Sequence, residues 1–239
     1  MESCETKKCN CGKCITGIAI FIGLTILGYF INKGLASIAY QDQYVTVKGL
    51  AEREVMANKV VWPLPYKCVS NDMQKLYDEI EKNKNIILSY LKAGGITDSE
   101  IILSAPAVTD RLAQSYVPDN IKFRYQAEAV ITVTSPQVEK VIELMSKQLE
   151  LMKDGVIISN EYNYQTQFEY TALNEIKPEM VEEATRNARA VAQKFADDSD
   201  CKLGNIRQAS QGQFTISSDE TTPQLKNIRV VTTVKYALK

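Results

Sequence analysis

The clearest secondary-structure signal in the chain is the stretch Ile121-Lys122-Phe123-Arg124-Tyr125-Gln126-Ala127-Glu128-Ala129-Val130-Ile131-Thr132-Val133-Thr134. Apolar side chains occupy every second position from Ile121 to Val133, and polar ones fill the positions between them as far as Glu128. Because successive side chains of a strand point to opposite faces, this alternation predicts a β-strand with one buried face. Similar alternation predicts strands at 44–55, 156–170 and 228–237.

Shorter apolar runs predict further strands at 101–108, 203–209 and 213–217. In the stretch 60–69, the side chains of Trp62, Leu64, Tyr66 and Cys68 would share one face. Proline cannot donate a ladder hydrogen bond, so the Pro63-x-Pro65 pattern predicts that this strand is bulged or lies at a sheet edge.

Three stretches place apolar residues at helical spacing. The first follows Asn71-Asp72 and ends at Gly94-Gly95, the second has Ser135 as its N-cap and Pro136 as its first helical residue, and the third follows Pro178. Their stripes are Met73, Leu76, Ile80, Ile87 and Leu91; Val138, Val141, Met145, Leu149 and Met152; and Val181, Ala184, Ala188, Val191 and Phe195. Each half of the chain runs from a helix into a strand and closes on a valine-rich strand. This order predicts an α+β fold of duplicated βαβ-like halves, mainly antiparallel sheet with amphipathic helices packed on one side.

The N-terminal residues 15–31 form an uncharged apolar run. As a helix they would extend ~25 Å, and Lys7, Lys8 and Lys13 precede them whereas only Lys33 follows closely. These features predict a transmembrane helix with a cytoplasmic N-terminus and the body outside the membrane. Cleavage of a signal peptide after Ser37-Ile38-Ala39 is the alternative, and the length of the run favours a retained anchor. The predicted organisation is a short Cys-rich cytoplasmic tail (1–14), a signal-anchor or signal peptide (15–39) and an exported domain (44–239).

Four of the six cysteines, Cys4, Cys9, Cys11 and Cys14, precede the apolar run. Their close spacing is compatible with a soft metal ion, but the segment is short, and we favour a tail with reduced thiols. Cys68 and Cys201 lie in the predicted exported part, where they either form a disulfide or remain two separate buried thiols.

Composition limits the chemistry that the chain can perform. It contains no His, which excludes Ser-His-Asp and Cys-His catalysis and His-ligated metals. The charge balance of 28 basic and 29 acidic residues gives no overall field to attract nucleic acid. Acidic clusters, such as Glu182-Glu183 and Asp219-Glu220, are typical of solvated helix and loop faces rather than calcium sites. We therefore expect no enzymatic activity, no cofactor and no nucleic-acid partner.

The predicted strand at 156–170 would place four aromatic side chains on one face: Tyr162, Tyr164, Phe168 and Tyr170. Such a face could stack on a sugar or a base. A half-buried strand face or a contact between subunits is the favoured alternative.

Several stretches together resemble the SIMPL-domain family. They are the opening strand Val45-Thr46-Val47-Lys48-Gly49 with Ala51-Glu52, the run Val61-Trp62-Pro63-Leu64, the helix positions Ala188, Arg189, Ala192 and Ala196 followed by Leu203-Gly204, and the last valine-rich strand. The resemblance covers residues 44–239 and implies a periplasmic or cell-surface α+β protein, in some members a ring- or channel-like oligomer. It also implies a link to envelope or oxidative stress and supplies no catalytic residue. The Cys-rich head and the retained anchor depart from the usual exported members.

These observations lead to two hypotheses about function. The first is a membrane-anchored or exported, non-enzymatic module that forms homo-oligomers or scaffolds other envelope proteins. The alternative is a domain that binds a small ligand or carbohydrate on the aromatic face at 162–170.

Overall fold

The structure is a computed structural model that describes residues 20–33, 43–114 and 121–239. Its helices are α1 (residues 20–33), α2 (Met73–Ala93), α3 (Val138–Ser146), α4 (Glu150–Lys153) and α5 (Leu173–Asp198). Its strands are β1 (Tyr44–Met56), β2 (Lys59–Ser70), β3 (Ile101–Leu103), β4 (Ala107–Asp110), β5 (Tyr125–Ser135), β6 (Gln167–Glu169), β7 (Leu203–Gln211), β8 (Thr215–Ser217) and β9 (Leu225–Leu238). The predicted α+β class is confirmed.

The chain divides into two compact units. Unit 1 comprises the described residues of Met1–Ala51 together with Val181–Gln213 and Val230–Lys239, and unit 2 comprises Glu52–Met180 and Phe214–Arg229.

Unit 2 contains a sheet with the strand order β3-β5-β2-β6, in which β4 also pairs with β5. The longest pairing is antiparallel and joins β2 to β5 from Val60↔Ser135 to Ser70↔Tyr125. The prediction that Trp62, Leu64, Tyr66 and Cys68 share one face of β2 is confirmed, and the structure shows that this face is buried. The single predicted strand at 101–108 is instead two short strands, β3 and β4, on either side of Pro106.

The prediction that β2 is bulged or lies at a sheet edge is wrong for the strand as a whole. It lies between β5 and β6, and its pairing with β5 runs from Val60 to Ser70 without a register shift. However, β6 pairs only with Lys59–Val61, so β2 leaves that side open to other segments from Pro63 onward. The carbonyl of Pro65 accepts a hydrogen bond from the Ser159 amide at 2.7 Å. The ring nitrogen of Pro65 points to the same side as its carbonyl, away from β5, and its missing N–H therefore costs no β2–β5 ladder bond.

Helix α2 begins as its sequence predicts. Asp72 is the N-cap and accepts a hydrogen bond from the Lys75 amide at 3.0 Å, and Gly95 follows the helix with a φ of 80°. Its predicted stripe is buried except for Met73. Helix α3 begins two residues later than predicted, because Ser135 is the last residue of β5 and accepts a hydrogen bond from the Gln137 amide at 3.0 Å.

Unit 1 is built around α5 and the sheet order β1-β9-β7. Helix α5 begins at Leu173, before Pro178, so the prediction that it follows this proline is wrong. The helix buries Met180 and a row of alanines at four-residue spacing, whereas the predicted Val191 and Phe195 are exposed. The alanines are Ala184, Ala188, Ala192 and Ala196.

The alanine row lets α5 approach the backbone of β1 closely. A Cβ atom added at Gly49 would overlap the Ala184 carbonyl oxygen and lie 2.8 Å from the Ala188 Cβ. Only glycine at position 49 is therefore compatible with this helix position.

The two sheets share one order of connection. In unit 2, β2 leads through α2 to β3, and β5 then inserts between β2 and β3. In the other sheet, β1 leads through α5 to β7, and β9 inserts between β1 and β7. A duplicated unit, as predicted, would give both sheets this same order. However, the two sets of elements do not follow one another along the chain: β1 belongs with the C-terminal elements, and the elements of the other sheet are inserted between them.

The apolar N-terminal run contains α1, whose side chains are exposed on every face. Within residues 20–33, 43–114 and 121–239, no helix is both long and apolar enough to cross a membrane. Residues 15–19 of the predicted span lie outside the described residues, and the transmembrane helix stays a prediction.

Candidate interaction surface

The aromatic residues at 162–170 do not share the strand face that their spacing predicts. Only Gln167–Glu169 form a strand, and residues 162 and 163 lie in a turn. The segment before the turn meets β2 through one isolated bridge, Tyr66↔Ile158. The turn is closed by the Tyr164 amide, which donates to the Glu161 carbonyl at 3.0 Å.

Ion pairs hold this segment against the outer face of the β2–β5 pair. Lys67 of β2 contacts the carboxylates of Glu161 and, at 3.7 Å, of Glu128. The hydrogen bond to Glu161 raises the pKa of Lys67, and a hydrogen bond with Glu128 raises the pKa of Tyr164. Tyr164 therefore lies on the outer face of the sheet.

The remaining aromatic side chains point elsewhere. Phe168 pairs with the buried Val60 and packs against the core of unit 2. Tyr170 is half-buried after β6, and Tyr162 is 88% exposed at the turn. The four residues thus do not share one strand face, so this part of the prediction is wrong. A role for them in binding a ligand or another subunit stays a prediction.

A different exposed feature of unit 2 is an apolar groove of about 270 Å³ between the end of α3, α4 and the segment after it. Its lining is Met145, Gln148, Leu149, Met152, Val156, Ile157 and Ile158. Three of these side chains project into solvent, with exposed fractions of 72% for Leu149, 57% for Met152 and 69% for Ile157. Large apolar side chains clustered in this way are typical of surfaces that bind another molecule.

The sequence pattern assigned Leu149 and Met152 to a buried stripe, and this prediction is wrong. Helix α3 ends at Ser146, and the amides of Lys147 and Gln148 bond three residues back, to Leu144 and Met145. This tighter turn changes the helical phase, because three residues per turn replace 3.6. Leu144 and Leu151 are buried instead, while Leu149 and Met152 face solvent.

The two cysteines of the predicted exported part are both free. Cys68 is buried in unit 2, where the Asn83 side-chain amide donates to its Sγ at 3.3 Å. Burial raises the pKa of the Cys68 thiol to about 11. The alternative of a Cys68–Cys201 disulfide is therefore not formed, and Cys4, Cys9, Cys11 and Cys14 lie outside the described residues.

Two members of the acidic clusters pair with neighbouring cations on helix surfaces. Glu81 bonds Lys84, and Glu182 bonds Arg186. Across the described residues, no group of three or more His, Cys, Asp or Glu side chains could hold a metal ion.

Comparison with known proteins identifies the family to which the chain belongs. The SIMPL family, described as a protein of unknown function (DUF541), matches residues 45–236. No curated protein matches the chain. The match includes both sheets, α2 to α5 and the apolar groove, and it covers well over half of the sequence. The chain therefore belongs to the SIMPL family.

Proposed function

We propose that this chain is a non-enzymatic, membrane-anchored module that assembles with further copies of itself through the apolar groove. The exposure of Leu149, Met152 and Ile157 is the observation that carries the proposal. Removing such side chains from water stabilises an interface by about 25 cal/mol per Å² of apolar area buried. A groove filled by side chains of another copy would gain this stabilisation.

A second copy is the proposed occupant for two reasons. The net charge of the chain is −1, so copies repel each other weakly. Anchoring through residues 15–31 would also confine all copies to one membrane. Such confinement raises the effective concentration of the partner without any new contact.

The membrane anchor is supported by the surface of α1. Its exposed large side chains are Ile20, Phe21, Ile22, Leu24, Ile26, Leu27, Tyr29, Phe30 and Ile31. The Thr25 hydroxyl donates to the carbonyls of Phe21 at 3.1 Å and Ile22 at 2.8 Å, within its own helix. A polar group satisfied in this way is compatible with hydrocarbon. We infer a single-pass protein with its N-terminus in the cytoplasm and its body outside.

Self-association is tested by sedimentation velocity of the full chain in a mild non-ionic detergent. We expect the wild-type protein to sediment as an oligomer and the double variant Leu149→Asp with Ile157→Asp to sediment as a smaller species. Ile102→Asp is the matched control, because Ile102 is an exposed apolar residue of unit 2 outside the groove. A double variant that sediments like the wild type would refute the groove as the interface.

The anchor is tested separately by alkaline carbonate extraction of cell membranes. We expect the full chain to stay in the membrane pellet and to yield peptides that contain Cys9 or Cys11. Recovery of a mature protein without these peptides would show cleavage of a signal peptide instead.

A further inference from the structure

A cleft of about 600 Å³ lies beside α5, within unit 1. Its lining is Glu182, Thr185, Arg186, Arg189, Gly204, Asn205, Ile206 and Tyr236. The four residues from α5 are spaced as i, i+3, i+4 and i+7, so they share one face of the helix. The cleft has the size of ordinary small-molecule sites, which occupy about 300–1,000 Å³.

The charge of the cleft is positive. Its charged lining consists of two guanidinium groups and one carboxylate. Arg186 donates to the Glu182 carboxylate at 2.5 Å. Among the described residues, the Arg189 side chain has no ion pair or hydrogen bond, which leaves its full set of donors for another acceptor.

Tyr236 supplies a second, independent sign of a ligand. Only 3% of this residue is exposed, and within the described residues its hydroxyl has no hydrogen-bond partner. A buried hydroxyl without a partner costs stability, so native structures usually satisfy such groups. An acceptor atom bound in the cleft would provide the partner.

Strand β7 is irregular where it lines the cleft. Its pairing with β9 shifts register on both sides of the pair Ile206↔Tyr236. Gly204 lies at the first of these shifts, and a Cβ added there would come within 2.9 Å of the Ala237 carbonyl oxygen. Irregularities of this kind redirect side chains and are common beside binding sites.

We propose that this cleft binds a small organic anion with a carboxylate or phosphate group. The Arg189 guanidinium is the principal partner, because planar guanidinium donors match both groups in a bidentate arrangement. The charge of Arg186 is offset by Glu182, so Arg186 contributes only its remaining N–H donors, and the Tyr236 hydroxyl donates to the anion. Ile206, which is half exposed, provides apolar contact for the carbon skeleton.

The test is isothermal titration calorimetry of the full chain in detergent, at constant ionic strength, with inorganic phosphate and citrate as separate probes. The two probes distinguish a phosphate site from a carboxylate site. Three variants are compared with the wild type: Arg189→Gln, Tyr236→Phe and the control Lys194→Gln. Lys194 is an exposed cation of α5 outside the cleft lining, so its variant removes the same charge from the same helix.

We expect at least one probe to bind the wild type with a Kd below about 1 mM. Arg189→Gln is expected to weaken binding by about 10-fold or more and Tyr236→Phe by about 5-fold, since each removes a hydrogen bond to a charged group. Lys194→Gln is expected to stay within about twofold of the wild type. Circular dichroism checks that each variant is folded.

Three results would each overturn the proposal. Neither probe binds the wild type, or Arg189→Gln and Lys194→Gln weaken binding equally, or a folded Tyr236→Phe variant binds like the wild type. Equal weakening would mean that only the general surface charge attracts the anion.

Discussion

Helices α2 and α5 occupy the same place in the connection order of their sheets, but they pack on those sheets with side chains of very different size. Helix α2 buries large side chains, among them Leu76, Ile80, Ile87 and Leu91. Helix α5 buries alanines and lies against Gly49 of β1. The first arrangement fills the space between helix and sheet with large side chains, whereas the second depends on side chains small enough for the two backbones to approach closely. One connection order can therefore be stabilised by side-chain burial in one unit and by close backbone approach in the other.

The largest effect should come from truncating the α2 core. Ile87 is fully buried, and Ile87→Ala would leave a cavity, so we expect the free energy of unfolding to fall by about 3–4 kcal/mol. Urea unfolding followed by fluorescence measures this change, because Trp62 is the chain's one tryptophan and lies in the same core. Tyr77→Ala on the exposed face of α2 is the control. A loss below about 1 kcal/mol would contradict volume filling.

In unit 1 we expect damage from enlarging a side chain rather than from truncating one. Gly49→Ala would force its new methyl group into the Ala184 carbonyl and the Ala188 side chain. We expect a loss of about 2 kcal/mol, seen as faster amide hydrogen exchange in peptides covering residues 184–196. Thr46→Ala, on the exposed face of the same strand, should change exchange little. Equal exchange in the two variants would show that α5 can move away from β1 at small cost.

A smaller loss of stability is expected from removing the N-cap of α2, which tests helix initiation separately from core packing. Asp72→Ala removes the N-cap of α2 without touching the core, and we expect a loss of about 1 kcal/mol in the same fluorescence assay. Asp72→Asn keeps a side-chain oxygen for the Lys75 amide and should retain most of the stability. If both variants lose stability equally, the charge at the helix start matters more than the hydrogen bond.

Burial of the Cys68 thiol should have the smallest effect on stability but should strongly lower the reactivity of that thiol. With a pKa of about 11, Cys68 at pH 8 carries roughly a hundredfold less thiolate than an unperturbed thiol. Iodoacetamide labelling with peptide mapping should therefore modify the half-exposed Cys201 well before Cys68. The folded state holds the proton of Cys68 more tightly than the unfolded state does. The protonated thiol therefore contributes stability that is fully present below the unfolded-state pKa and is lost as the pH rises through about 11. Labelling of Cys68 as fast as Cys201 would mean that the core opens readily.

Much of the fold was predictable from local patterns, because alternation and capping depend on neighbouring residues. The common face of Trp62 to Cys68, the cap at Asp72 and most of β5, predicted at 121–134 and found at Tyr125–Ser135, follow from the sequence. The stripe of α5 was missed, since Val191 and Phe195 are more apolar than the alanines that the helix buries. Close packing against Gly49 rewards small volume, and the hydrophobic pattern does not record that preference.

The candidate surfaces were less predictable than the fold. Leu149 and Met152 reach the surface because the helix tightens after Ser146, and this change of phase has no proline or glycine to mark it. The alternation at 156–170 resembles a strand, although Tyr162 lies in a turn. The cleft beside α5 combines residues from a helix and two strands, so its composition depends on contacts distant in sequence.

The most direct test of the proposed function is photo-crosslinking of the full chain in cell membranes, with benzoylphenylalanine placed at position 157. Position 102 is the control, because it is also an exposed isoleucine and lies outside the groove. Self-association through the groove predicts an adduct of twice the chain mass for position 157 and little for position 102. Absence of that adduct at 157, or equal yield at both positions, would contradict the account.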